Sequence, residues 1–574
     1  MSTGRPVGVR WAGDERSGMD ADVIVVGAGL AGLVATHELT RRGRRVAVVD
    51  QEGPVDLGGQ AWWSFGGIFL VDSPEQRRMR VHDSVELAWS DWQGSAGFDR
   101  LDDEDTHAAR WARAYVEFAA GEKRSYLTEL GISFLPTVGW AERGDLTATG
   151  HGNSVPRFHV SWGTGTGVVG PFVDSALRAA EAGLVTFHHR HRVDELVRTD
   201  GNVTGVRGAL LAPDDSPRGA PSNRDVTGEF TLSAPAVVLA TGGIGANHEM
   251  VRRYWPERMG TPPSSMITGV PAYVDGRMLD IAADAGVRLV NRDRMWHYTE
   301  GVVNWDPVWP GHAIRILPGP SSMWFDALGR RLPAPYLPGY DTLGTLRHLR
   351  TTPDIAPYDH SWFVLTRKII EKEFALSGSE QNPDITSGRR AAFLRERLLS
   401  RGAPGPVQAF TTHGEDFVVA DTLDDLVAGM NARTDAPPLD PALIRGQIEA
   451  RDRQLANPYS KDAQVQGIHN ARRSLGDRIG RVAAPHRILD PAAGPLIGVK
   501  LHVLTRKTLG GIQTDLQSRA LDTRGEPIPG LYAAGEAAGF GGGGVHGYNA
   551  LEGTFLGGCI FSGRAAGRSL AGAL

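Results

Sequence analysis

The stretch that decides the fold is Val23-Ile24-Val25-Val26-Gly27-Ala28-Gly29-Leu30-Ala31-Gly32. An apolar strand runs directly into a Gly-x-Gly-x-x-Gly turn, and a second apolar strand, Val46 to Val49, follows and ends at Asp50. Strand, glycine turn, helix, strand and acid, in this order, are typical of the unit that binds the diphosphate and ribose of a dinucleotide. The sequence therefore predicts an α/β fold that begins with a Rossmann-like unit.

The residues of this unit have separate physical roles. Gly27 permits a tight turn, Gly29 lets a pyrophosphate approach the backbone, and Gly32 lets the helix pack closely on the strand. The amides at the start of the helix then face an anion. Asp50 is expected to accept hydrogen bonds from ribose hydroxyls. The predicted cofactor contacts of this unit are Gly27, Gly29, Leu30, Ala31, Gly32, Asp50 and Gln51.

Composition excludes several classes of protein. The chain of 574 residues is long enough for at least two cores, and its net charge of −5 favours neither nucleic acid nor an anionic membrane surface. No apolar run reaches the length of about 18 residues that a membrane span needs. The single cysteine, Cys559, excludes the class of disulfide reductases, which needs a cysteine pair. These features favour a cytoplasmic location.

The residue composition and the pattern of predicted elements change at two places along the chain. Residues 1–19 are expected to form a disordered leader, and residues 20–290 alternate strand-like and helix-like segments. Residues 291–480 are rich in Pro and Trp and carry few signals of parallel strands, whereas residues 481–574 return to strands and glycine-rich loops. We therefore predict one discontinuous cofactor domain, formed by the second and last segments, with an inserted α+β cap that carries part of the active site.

Four further motifs follow the first along the chain. They are Gly58-Gly59 leading into Ser64-Phe65-Gly66-Gly67, Ala240-Thr241-Gly242-Gly243, Gly530 to Glu536, and Gly544-Val545-His546-Gly547 with the helix after it. In this order the five motifs resemble the fumarate reductase/succinate dehydrogenase flavoprotein superfamily. Within it they resemble the branch of 3-ketosteroid dehydrogenase-like FAD-binding dehydrogenases.

The resemblance implies FAD rather than NAD. Some members attach FAD through a His near the second glycine pair, and here Gln60-Ala61-Trp62-Trp63-Ser64 contains none, so a non-covalent flavin is expected. The resemblance places near the flavin Gly58, Gly59, Gln60, Ser64, Phe65, Gly66, Gly67, Gly510, His546, Asn549, Ala550 and Leu551. It places toward the adenine Val193, Ala240, Thr241 and Gly242, and at the ribityl chain Gly535 and Glu536.

The chemistry that the resemblance implies is hydride exchange between the flavin and a C–C bond next to a carbonyl or carboxylate. Two cations that clamp or protonate a dicarboxylate in fumarate reductases fall here on Ala550 and on Pro318-Gly319, and a clamping His falls on Arg506. These departures make a C4-dicarboxylate substrate doubtful.

Aromatic residues stand where those cations are missing. An aromatic pocket suits a large apolar ketone or enone. The aromatic candidates for this pocket are Trp62, Trp63, Trp296, Trp305 and Trp309. The candidate catalytic residues are Tyr548 and Tyr298 as proton donors or acceptors, Arg506 and Lys507 as cations that lower a tyrosine pKa, and His502.

The sequence predicts an FAD-dependent oxidoreductase of the CH–CH class that acts on a bulky, steroid-like ketone or enone. Two alternatives stay open: a fumarate reductase-like enzyme for small acids, and a non-catalytic flavin-binding protein. No metal site is expected, since His188, His189 and His191 are split between strand faces and have no carboxylate at ligand spacing. The electron acceptor or donor, the direction of the reaction and the oligomeric state are not specified by the sequence.

Overall fold

A computed structural model describes residues 19–390, 393 and 402–573. The leader predicted for residues 1–19 lies outside this part of the chain except for its last residue. The strands of the first half are β1 (Val23–Val26), β2 (Val46–Asp50), β3 (Gly67–Phe69), β4 (Phe134–Gly139), β5 (Phe158–Ser161), β6 (Val185–His189), β7 (His191–Thr199), β8 (Asn202–Leu211), β9 (Val226–Ser233) and β10 (Val237–Leu239). Those of the second half are β11 (Ile267–Thr268), β12 (Leu289–Val290), β13 (Met295–Val303), β14 (Ala313–Leu317), β15 (Met323–Phe325), β16 (His360–Thr366), β17 (Ala375–Leu376), β18 (Phe417–Ala420), β19 (Leu496–Thr508), β20 (Gly511–Ile512), β21 (Arg519–Leu521) and β22 (Pro527–Ala533).

The helices alternate with strands early in the chain and cluster in its middle. They are α1 (Leu30–Thr40), α2 (Pro74–Arg78), α3 (Val85–Ala96), α4 (Thr106–Ala120), α5 (Lys123–Glu129), α6 (Thr164–Glu181), α7 (His248–Arg253), α8 (Arg277–Asp284), α9 (Thr342–Thr351), α10 (Arg367–Glu373), α11 (Pro383–Thr386), α12 (Gly405–His413), α13 (Leu423–Asn431), α14 (Pro441–Leu455), α15 (Ala463–Ala471), α16 (Leu475–Gly480) and α17 (Thr554–Ala573). In the described part of the chain, none of these helices combines the length and apolarity needed to cross a bilayer.

The sheet that carries the glycine turn is built from both ends of the chain. Its order is β21-β22-β10-β1-β2-β6, and all neighbours are parallel except β21 and β22. All four side chains of β1 are buried, as expected for a strand covered on both faces. Helices α1 and α17 pack on each other beside this sheet. The first and last segments of the chain therefore share one core.

A second sheet is built around the long strand β19. Its order is β15-β16-β19-β13-β14-β17, and β11 and β18 also pair with β19. Large side chains such as Trp324, Trp362 and Phe363 fill a separate core beneath it. The predicted boundary of the cap at residue 480 stays a prediction, and β19, which pairs with β13 and β16, lies beyond that boundary.

Close packing of the first helix on the first strand depends on Gly32. A Cβ added at Gly32 would lie 2.0 Å from the Gly27 carbonyl oxygen, a distance at which the backbone must shift. Gly446, also inside a helix, has nothing within 4 Å of the same added atom.

We therefore expect opposite effects from one type of substitution. Gly32→Ala should lower the free energy of unfolding by at least about 2 kcal/mol through overpacking. Gly446→Ala should raise it by about 0.5–1 kcal/mol, since alanine favours the helical backbone. Chemical denaturation of both variants checks this, and equal stabilities would contradict the packing role of Gly32.

Candidate active site and cofactor cleft

A long cleft lies where the carboxyl ends of β1, β2 and β10 meet the second sheet. It encloses about 1790 Å³ of space, its open mouth included, and extends from the loop after β2 to strands β13 and β14 of the second sheet. Ligands of parallel α/β sheets bind at this end of the strands, where the strand order reverses. The cleft is therefore the candidate site for cofactor and substrate together.

The glycine turn forms one wall of the cleft. Gly27 has a φ of +102°, and an added Cβ would lie 2.5 Å from the Ala240 carbonyl oxygen. At Gly29 the nearest atom to such a Cβ is 4.0 Å away, so the backbone there faces open space. Helix α1 begins at Leu30 without a side-chain cap, which leaves the amides of its first turn for an anion.

Asp50 lies at the end of β2 with its carboxylate fixed by the backbone. It accepts hydrogen bonds from the amides of Ala28 (2.7 Å) and Glu52 (2.9 Å). Burial raises the pKa of Asp50 to about 6, and the two amides oppose the rise. A carboxylate held in this way and lining the cleft fits a ribose that donates its hydroxyls.

Most of the predicted cofactor residues line this one cleft. They are Gly27, Gly29, Leu30, Ala31, Asp50, Gln51, Gly58, Gly59, Gln60, Ser64, Phe65, Gly66, Gly67, Val193, Ala240, Thr241, Gly242, Gly535 and Glu536. The glycine turn, the fixed acid and the ring of apposed loops fit a dinucleotide as long as FAD.

The remaining predicted cofactor residues lie outside the cleft lining. They are Gly32, Gly510, His546, Asn549, Ala550 and Leu551. Gly510 packs on the backbone of Asn291, and His546 is buried, where it stacks on Trp92 and shares a 2.9 Å hydrogen bond with Thr554. Their positions therefore do not support the predicted contact of these six residues with FAD.

Lys507, Gln60 and Glu536 form a polar cluster in the cleft wall. Gln60 donates to Glu536 at 2.6 Å, Lys507 donates to Gln60, and the Lys507 Nζ lies 3.5 Å from Glu536. Burial lowers the pKa of Lys507, and Glu536 opposes this. The cluster places one cation and one carboxylate where a polyhydroxyl chain can be held.

The five candidate catalytic residues separate into two groups. Tyr298, Arg506 and Lys507 line the cleft. His502 lies on the second sheet, 2.7 Å from Asp416. Tyr548 donates to Asp99 (2.8 Å) and packs against Arg258 and Arg294 in a separate surface crevice. The catalytic roles predicted for Tyr548 and His502 therefore gain no support from their positions.

The tryptophans predicted for the pocket do not contribute to the aromatic part of the cleft lining. None of the five candidate tryptophans is among the cleft residues; Trp296 is buried in the core and Trp305 is 43% exposed. Large apolar side chains of the cleft lining come instead from Phe65, Phe158, Leu317, Phe540 and Phe555. Composition could not distinguish buried tryptophans from cleft residues.

The charged residues beside Tyr298, Arg315 and Glu552, were not predicted from the sequence. Arg315 on β14 is 4% exposed, and its guanidinium lies 3.7 Å from the centre of the Tyr298 ring. It contacts Glu552 and Glu142 at 2.5 Å each. The sequence offered only their positions as a signal. Glu552 lies between the motif Gly544-Val545-His546-Gly547 and the last helix, and Arg315 lies three residues before Pro318.

A buried group of acids lies behind Arg315. Glu142, His151 and Asp341 each offer one atom that could bind a metal ion, and these atoms lie within 4.8 Å of one another. His151 Nε2 is 3.6 Å from Glu142, and Arg315 already supplies positive charge to the same carboxylate. Burial raises the pKa of Glu142 to about 7, against the effects of His151 and Arg315. Burial lowers the pKa of His151, but the nearby carboxylates of Glu142 and Asp341 more than offset this and raise it.

Comparison with known proteins identifies the family. Residues 22–556 match a family model described as an FAD binding domain, and the chain therefore belongs to this FAD-binding family. Both the predicted α/β fold and the predicted FAD cofactor are confirmed.

The similar proteins carry related names. The chain is 60% identical to a KsdD-like steroid dehydrogenase of Mycobacterium tuberculosis, over 98% of this chain and 97% of that protein. It is 61% identical to a KsdD-like steroid dehydrogenase of Mycolicibacterium smegmatis, over 94% and 96%. The crystal structure of a 3-ketosteroid delta1-dehydrogenase from Sterolibacterium denitrificans, in complex with 1,4-androstadiene-3,17-dione, has the same fold, with a TM-score of 0.65, 17% identity, and 96% and 100% of the two chains covered.

The open backbone at Gly29 leads to a prediction about cofactor affinity. In Gly29→Ala the added methyl has room within the protein but occupies the space that a pyrophosphate approaches. We expect unchanged stability of the flavin-free protein and FAD binding weakened about tenfold or more. Fluorescence titration of the flavin-free variant with FAD measures this. Undiminished affinity would show that the phosphates lie elsewhere.

The raised pKa of Glu142 leads to a prediction about stability. In the folded protein the Glu142 carboxyl keeps its proton up to about pH 7, whereas its ordinary pKa is 4.5. Protonation of Glu142 therefore stabilises the folded state at low pH, and this stabilisation is lost as the pH rises through about 7. In Glu142→Gln this loss, up to about 3 kcal/mol, should disappear. Urea unfolding of both proteins from about pH 5 to about pH 8 tests this. Parallel pH profiles would contradict it.

Proposed function

We propose that this protein is an FAD-dependent oxidoreductase that acts on a C–C bond next to the carbonyl of a steroid-like ketone or enone. The observation that carries the proposal is one continuous cleft, with the glycine turn and Asp50 at one end and Tyr298 among apolar side chains at the other. The names of the relatives at 60% and 61% identity support the same substrate class.

The cofactor end of the cleft has a residue for each part of FAD. The turn at Gly29 and the start of α1 would hold the pyrophosphate, and Asp50 would hold the adenosine ribose. Glu536 and Lys507 would hold the ribityl chain. When bound, FAD supplies a two-electron acceptor or donor of hydride.

The substrate end is suited to orienting a ketone. Phenylalanine side chains give it an apolar wall, and the Tyr298 hydroxyl is its neutral polar group beside Arg315. Burial and the nearby Glu552 raise the pKa of Tyr298, so this hydroxyl keeps its proton at neutral pH, and it donates that proton to Glu552 Oε1 at 3.3 Å. Residues of β13 and β14 cover this end, which would exclude water during the reaction.

The same residues are less suited to binding a small dicarboxylate. Arg315 is the cation nearest to Tyr298, but Glu142 and Glu552 already match its charge. The position of a second clamping cation is occupied by Ala550, which is fully buried away from the cleft lining. A non-catalytic flavoprotein would be favoured instead if no ketosteroid altered the spectrum of the bound flavin.

Two tyrosine variants differ in their expected effect on turnover. Tyr298→Phe should lower kcat about 10²–10⁴-fold, since it removes a hydroxyl that we place in proton transfer with the substrate. Tyr548→Phe should change kcat less than about threefold, since its hydroxyl binds Asp99 outside the cleft. The measurement is ketosteroid-dependent reduction of a dye acceptor by each purified holoenzyme. A larger loss of kcat in Tyr548→Phe than in Tyr298→Phe would indicate that the active site lies at Tyr548.

A further inference from the structure

Arg315 is surrounded by more carboxylates than it can balance. Glu552 and Glu142 each contact its guanidinium at 2.5 Å, and Glu300 acts on it electrostatically. Glu300 accepts a 2.7 Å hydrogen bond from Thr342 and is 1% exposed. Buried charges without a partner are costly, so a group with this composition must hold protons.

The acids of this group differ in their access to the substrate. Glu552 lines the cleft together with Tyr298 and Arg315, whereas Glu142 and Glu300 are not among the cleft residues. The Glu552 side chain is 10% exposed, and Glu552 lies two residues before the start of α17 at Thr554. Glu552 is therefore the carboxylate of the group that can exchange a proton with the cleft.

Tyr298 connects Glu552 to the place where a ketone would lie. Its hydroxyl donates to Glu552 Oε1 at 3.3 Å, and Arg315 Nη1 contacts the same oxygen at 2.5 Å. Arg315 also covers the tyrosine ring. Since Tyr298 is not an anion at neutral pH, it can take a proton from a substrate only if its own proton leaves at the same time.

We propose that Glu552 is the proton acceptor of the reaction and that the Tyr298 hydroxyl relays the proton to it. The inference rests on the proposed function. The C–H bond beside the carbonyl breaks, its proton forms a new O–H bond on Tyr298, and the former Tyr298 proton moves to the Glu552 carboxylate. The electron pair of that C–H bond becomes the second bond of the new C=C as hydride leaves the neighbouring carbon in the oxidation proposed above. In the opposite direction, protonated Glu552 returns the proton.

Charged groups around this relay come from several elements. Arg315 lies on β14, Glu142 and His151 on the loop between β4 and β5, Glu300 on β13, and Arg506 on β19. Arg315 acts as a positioning residue that holds Glu552 and Tyr298 together. Glu142 balances Arg315 from the side away from the cleft.

Proton transfer can be measured apart from hydride transfer. The holoenzyme with its flavin chemically reduced cannot accept a hydride, but its side chains can still exchange the protons beside the carbonyl of androst-4-ene-3,17-dione with D₂O. Mass spectrometry of the recovered steroid gives the exchange rate. Glu552→Gln keeps the size and hydrogen-bonding of the side chain and removes its basicity, and Glu142→Gln is the matched control, because it removes the other 2.5 Å partner of Arg315 without reaching the cleft.

We expect Glu552→Gln and Tyr298→Phe to slow exchange about 100-fold or more and Glu142→Gln less than about threefold. Glu552→Asp should restore part of the rate. Unchanged flavin content and melting temperature would show that the variants are folded. Exchange by Glu552→Gln at the rate of the unaltered enzyme, or none by the unaltered enzyme, would overturn the inference.

The same proteins distinguish this inference from the proposed function. Oxidative turnover with a dye acceptor is measured in parallel. If the unaltered enzyme turns over ketosteroids and Glu552→Gln is equally fast, the inference fails and the proposed function stands. If the unaltered enzyme neither exchanges nor turns over any ketosteroid, the proposed function fails as well.

Discussion

The structure depends on the parallel pairing of β10 with β1 on one side and β22 on the other. Val238 lies opposite Val25 and also opposite Tyr532, so segments from the two ends of the chain become neighbours in one sheet. This pairing brings the loop at Glu536 to the glycine turn and lets α17 pack on α1. The whole cleft follows, because its cofactor end is made by loops at the carboxyl ends of these strands.

A second constraint acts at the other end of the cleft, where charge is buried. Glu142 and Glu552 together offset the cost of burying Arg315, since a buried guanidinium without any carboxylate partner would be strongly destabilising. The pairing orders three segments that are far apart in the chain and fixes the Tyr298 ring beneath the guanidinium. The same contacts thus define the polar part of the cleft at the end where we propose that the substrate binds.

The cofactor end was predictable from the sequence because its signals are local. The turn from Gly27 to Gly32 and Asp50 lie within one strand–helix–strand unit, whose geometry follows from residue type and spacing. The catalytic prediction for Tyr548 rested on a loop whose direction is not local. Gly547 has a φ of +57° and lies against Ala96, and the Tyr548 amide donates to the Ala96 carbonyl, so α3 holds the tyrosine outside the cleft.

The sequence by itself determined the class of fold, the dinucleotide-binding unit and the choice of FAD, since each is encoded in short motifs in a fixed order. Only the tertiary structure decided which polar groups lie together at the end of the cleft where we propose that the substrate binds. Tyr298, Arg315 and Glu552 come from β13, β14 and the approach to α17, and their meeting depends on strand register and on how the second sheet lies over the first. No local pattern encodes such a contact, because it is fixed by packing between segments distant in the chain.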